Sequence, residues 1–100
     1  MMFMVVLENN SSPVVKERVD AAIRTLGNYS NRLVGTNVWM LESKDRGARA
    51  LRDHLKQFID AEKGDRLFVA RFSRNWAGTN LGQGFPEWMT RREFGDFPNG

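Results

Sequence analysis

The 100-residue chain contains no cysteine. Disulfides, thiolate metal sites and cysteine nucleophiles are thereby excluded, and a reducing, cytoplasmic setting is expected. Histidine occurs once, as His54. With no second histidine, and no acid spaced to orient this one, serine or cysteine triads lack support. No glycine-rich loop follows the first apolar run, which argues against P-loop and dinucleotide-binding fingerprints. The longest apolar runs are about half a membrane span and no charged leader precedes them, so a soluble, unexported protein with no membrane partner is expected. Internal repeats and low-complexity linkers are absent as well.

What is present is ordinary globular material. Apolar residues make up 41% of the chain and aromatics 11%, enough for one core in one domain. Fifteen basic and 12 acidic residues leave a net charge of +3. That balance favours weak attraction to polyanions through counterion release, and it equally suits a solvated basic surface.

The run Phe3-Met4-Val5-Val6-Leu7-Glu8 is short, valine-rich and apolar up to its final carboxylate. It predicts a strand covered on both faces. Asn9-Asn10-Ser11-Ser12-Pro13 then stops the strand and starts a helix, with a serine N-cap before proline at the first helical position. Val15, Val19, Ala22 with Ile23, and Leu26 form its apolar stripe, and Gly27, supported by Asn28, is expected to close it as a left-handed cap. Residues 29–34 predict an edge strand, Gly35-Thr36-Asn37 a tight turn, and Val38-Trp39-Met40-Leu41 a second buried strand ended by Glu42. Ser43-Lys44-Asp45 opens a second helix, capped by Ser43 or Asp45, with Ala48, Leu51, Leu55, Phe58 and Ile59 as its stripe and Lys63-Gly64-Asp65 as its end. Residues 66–72 predict the last strand.

The order β-α-β-β-α-β over residues 2–72, with right-handed crossovers, predicts an α+β fold: a ferredoxin-like sandwich with the first and third strands central. Two helices cover one sheet face, yet Met4 and Val6 point away from the face that carries Phe3, Val5 and Leu7. The second face needs cover from the tail, another subunit or a ligand. Residues 73–100 form that tail, with Trp76, Leu81, Phe85, Trp88, Phe94 and Phe97 set among Gly78, Gly82, Gly84, Pro86 and Pro98. Aromatics in loop-forming sequence predict a docking segment. Residues 76–89 are expected on the domain or across a dimer partner, with Trp76, Phe85 and Trp88 as interface side chains, and the chain from Arg91-Arg92 onward is expected to fray.

Glu8 is the first chemical candidate. Its hard oxygens suit Mg²⁺, and an isologous dimer would supply a second Glu8 across the two-fold axis. Asn9 and Asn10 offer groups for a water or a phosphate, although they are also turn formers. Arg71 and Arg74, close to Trp76, suit either a nucleic-acid backbone with a stacked base or a dimer rim. Phe3 and Trp39 fall where an RNA-recognition sheet carries its stacking aromatics, but that family's signature is absent from residues 36–41.

Taken with Val38-Trp39, Leu51-Arg52-Asp53-His54-Leu55, Leu67-Phe68-Val69 and Trp76, this layout resembles the CRISPR-associated endoribonuclease family, the small adaptation subunit, and its VapD-like toxin relatives. The resemblance spans roughly residues 2–88 and is closest to uncharacterised bacterial members. It implies a homodimer in which an acid at the end of strand one binds Mg²⁺ on the two-fold axis, and a fifth strand from the tail joins the partner's sheet. Only Glu8 matches that acid, as Glu where the family has Asp. The implied function is a nucleic-acid-binding homodimer with metal-dependent phosphodiesterase chemistry, in which Arg71 and Arg74 neutralise phosphate. The alternative is a non-catalytic dimeric interaction module of a toxin–antitoxin or similar regulatory assembly.

Overall fold

In the computed structural model, residues 1–26 and 29–95 are described. Gly27 and Asn28, expected as a helix cap, and Phe97 and Pro98 of the tail lie outside them. The elements are β1 (Met2–Glu8), α1 (Pro13–Thr25), β2 (Ser30–Arg32), β3 (Val38–Glu42), α2 (Ala48–Leu55), two single 3₁₀ turns (Lys56–Phe58 and Ala61–Lys63), β4 (Arg66–Phe72) and α3 (Phe85–Thr90). The strands form one antiparallel sheet in the order β2-β3-β1-β4. The two most apolar runs, β1 and β3, are thus the central strands. No helix among the described residues is long and apolar enough to cross a membrane.

The chain start follows from local chemistry. Ser12 has an extended backbone, its hydroxyl accepts the Val14 N–H, and Pro13 opens α1 with a preset φ. Val15, Val19, Ala22 and Ile23 of α1 meet Leu51 and Leu55 of α2 over Phe3, Val5, Leu7, Trp39 and Leu41 of the sheet, and these residues form the larger core. The Trp39 indole N–H donates to Asp20 Oδ1 at 2.8 Å, so the ring is buried with its polar atom satisfied. Phe3 and Trp39 lie inside this core, not on an open stacking platform. His54 packs its ring edge-on against Phe58.

The second helix is shorter than its stripe suggests. Neither Ser43 nor Asp45 caps it; Gly47 occupies that position. Ser43 is held as a continuation of the β1–β3 ladder: its N–H donates to the Met1 carbonyl at 2.8 Å and its own carbonyl accepts the Met1 ammonium at 2.9 Å. Its hydroxyl accepts the Arg46 N–H within a turn. At the other end, Asp65 takes the Asp60 N–H at 2.9 Å, so the chain leaves the helix and turns. Phe58, in the 3₁₀ turn that follows α2, and Ile59 beyond it still pack against the core, and Gly64, at φ 93°, closes the second 3₁₀ turn. The edge strand predicted over residues 29–34 shortens to Ser30–Arg32.

The second sheet face carries a smaller core. Met2 and Met40 pack against Phe85, Met89 and Phe94 of the tail, with Met4, Phe72, Trp76, Leu81 and Trp88 partly buried around them. The tail of this chain therefore lies on its own sheet, and no strand occurs in residues 73–95. Cover is incomplete towards the β1 carboxyl end, where Phe68 remains 59% exposed opposite Val6.

Candidate functional site

The strand registry separates the candidate residues into two groups. Glu8 lies opposite Arg66, and Arg71 lies opposite Phe3. Five residues of extended chain separate these positions, roughly 17 Å at about 3.4 Å per residue. Glu8, Asn9 and Asn10 therefore share one end of the sheet, while Arg71 and Arg74 belong to the other.

At the first end, the Glu8 carboxylate is half exposed, with Arg66 Nε at 3.6 Å and Asn10 Nδ2 at 3.4 Å. Asn10 Nδ2 also donates to the Gly64 carbonyl at 2.9 Å. Asn9 Oδ1 is buried and has no donor. The anchor of this corner is Asp65, which is 3% exposed. Its carboxylate accepts the Ser11 hydroxyl at 2.5 Å and the backbone N–H groups of Asn10, Ser11 and Asp60 at 2.7–2.9 Å. The Ser11 hydroxyl above all, then the three backbone donors, hold its carboxyl down to about 2 against the opposing effect of burial. Asp65 ties the turn after β1 to the turn before β4, so its lone pairs are already occupied. Among the described residues, no three His, Cys, Asp or Glu side chains converge to hold a metal ion. At the β1 end one chain offers a cation the single Glu8 carboxylate, with the Arg66 guanidinium beside it.

At the second end, the tail forms a strap of arginines and aromatics. Arg71 Nη2 donates to the Phe94 carbonyl at 3.1 Å, and the Arg74 guanidinium sits 4.6 Å over the Phe94 ring. Arg92 lies 4.1 Å over Tyr29 and 4.8 Å over Trp88, and its Nε donates to the Trp88 carbonyl. Buried Glu42 accepts the Glu93 N–H at 2.6 Å. Phe94 is 1% exposed, so the chain from Arg91 to Phe94 is held down on the sheet where its polar sequence suggests fraying. Arg74 and Arg91 face solvent. Of the expected interface side chains, Phe85 is buried and Trp76 and Trp88 half-buried, all against this chain's own sheet.

Arg92, Phe94 and Glu42 are the residues that sequence reasoning passed over. A signal for Glu42 existed: alternation along β3 places it with Met40, on the face opposite Trp39 and Leu41, and hence beneath the tail. Arg92 stands four residues after Trp88, the spacing of neighbours on one helix face. Comparison with family models, curated proteins and solved structures returns no match. The chain's own geometry carries the functional reading.

Proposed function

We propose that this protein binds nucleic acid along the arginine–aromatic strap at the tail end of its sheet. The observation that carries this reading is the pair of stacks, Arg74 over Phe94 and Arg92 over Tyr29 and Trp88, beside exposed Arg91. The exposed Arg74 guanidinium, resting on a ring, keeps its planar edge for phosphate and loses little freedom on binding, while Arg92, with its Nε committed to the Trp88 carbonyl, holds the strap in place. The net charge of +3 supports the same reading. The strand order, with α1 and α2 on one face of the sheet, supports a ferredoxin-like arrangement. The separation of Glu8 from the arginines favours binding over hydrolysis within one chain.

The test is fluorescence anisotropy with labelled single-stranded RNA and double-stranded DNA across 50–200 mM salt, a range chosen for its leverage on phosphate contacts. Binding should weaken with salt, and Arg74→Ala and Arg91→Ala should each lower the single-strand salt slope by about 0.7. No binding, or binding indifferent to salt and to both substitutions, refutes the proposal. A parallel cleavage assay with Mg²⁺ or EDTA should yield no products; metal-dependent products lost in Glu8→Gln would restore the nuclease reading.

A second reading, a dimeric interaction module, rests on Phe68. This ring is 59% exposed on β4, a strand with one unpaired edge. Sedimentation of wild type against Phe68→Glu tests it: a dimer lost on substitution supports the module, and a monomer in both refutes it.

A further inference from the structure

We propose that the cleft between the sheet and the tail binds an uncharged, single-ring apolar molecule. The cleft has a volume of about 140 Å³, and all ten residues around it are apolar. Met4, Met40 and Phe72 form its floor on the second sheet face, and Trp76, Leu81 and Met89 of the tail close over it. This site is separate from the arginine strap and does not depend on nucleic-acid binding.

Two physical facts decide the ligand class. A water molecule needs two to four polar partners, and an apolar cavity of roughly 150 Å³ stays dry and takes benzene or xenon. Here the floor residue Met4 lies in a central strand with its backbone groups turned to Ala70 in the ladder, and the Trp76 indole N–H is the only polar side-chain group on the lining. A charged ligand would lose its hydration with nothing to replace it. The walls can also adjust, because three of them are methionines, whose unbranched side chains refit to varied shapes.

The roof is a loop: residues 73–84 contain neither helix nor strand. Leu81 folds so closely onto Gly78 that a side chain at 78 would overlap its methyl group. Asn80, Gly82 and Gly84 all have positive φ. Entry through this loop leaves the sheet undisturbed.

Methionine provides the probe. The chain has five methionines; Met4, Met40 and Met89 line the cleft, whereas Met1 belongs to the helix-side core. The experiment is a benzene titration of methyl-¹³C-methionine protein followed by NMR, with benzoate as the charged counterpart. Saturable shifts of the Met4, Met40 and Met89 methyls, a stationary Met1, and no response to benzoate are expected. Val38→Phe, which fills the cleft from β3, should abolish the benzene response. Absence of saturation, equal movement of Met1, or matching responses to benzene and benzoate would overturn the proposal. So would retained binding in folded Val38→Phe; should that variant fail to fold, the wild-type titration still decides.

Discussion

Phe94→Ala is the sharpest probe of the tail. The ring is 1% exposed, and truncating a phenylalanine buried to that degree costs about 3–5 kcal/mol. Its contact with the Arg74 guanidinium at 4.6 Å accounts for about 0.5–1 kcal/mol more. If the strap lifts, Glu42 loses the N–H of Glu93 at 2.6 Å, and an unsatisfied buried acceptor costs a further ~1–3 kcal/mol. Even the lowest figure, about 3 kcal/mol, is a large part of the roughly 5–15 kcal/mol that holds a domain together. It corresponds to a fall in Tm of at least about 12 °C for a chain of this size. The assay is urea unfolding followed in parallel by far-UV circular dichroism and tryptophan fluorescence, with Glu93→Ala as control. The control keeps the backbone N–H that Glu42 needs and should stay within about 0.5 kcal/mol of wild type. A Phe94→Ala variant within 1 kcal/mol of wild type would refute the claim that the end of the tail completes the second core.

The remaining predictions concern the β1 end. The folded-state pKa of Asp65 lies near 2, below its ordinary 3.8, so its contribution is present above about pH 4 and is lost as pH falls towards 2. Urea midpoints of wild type should drop through that window, while Asp65→Asn should start lower and change less; parallel pH profiles would contradict this. Ser12→Ala removes the acceptor for the Val14 N–H and should cost about 1 kcal/mol in the same unfolding assay. Glu8→Gln should fold with stability within about 0.5 kcal/mol of wild type, because the Arg66 contact at 3.6 Å is exposed.

The sheet was legible because β1, β3 and β4 are apolar runs whose alternation survives in the folded state; Leu67 and Val69 reach one core and Phe72 the other. Helix α1 was legible because capping is local, and Ser12-Pro13 determines it within two residues. The limits of α2 were not local. Asp65 intercepts the Asp60 N–H, and Met1 holds Ser43 in the ladder, contacts that depend on distant chain and outweigh the apolar stripe. Among the site residues, Glu8 was placed correctly at a strand end, but its distance from Arg71 depends on antiparallel registry. The strap was hidden for a related reason. Arg92 reads as a solvated charge until Tyr29 and Trp88 are brought beneath it.

The second core contains Met2 from the start of β1 and Phe94 from the tail, which makes its completion a matter of timing. Until residues 73–94 dock, the folding chain passes through an interval without them. Throughout that interval all four strands exist, but Met2, Met4, Met40 and Phe72 lack their cover. A nascent chain in this state presents a greasy sheet face with an open edge, the form most prone to sticking to its neighbours. Ending the chain at residue 72 should therefore make that state permanent and lower soluble yield.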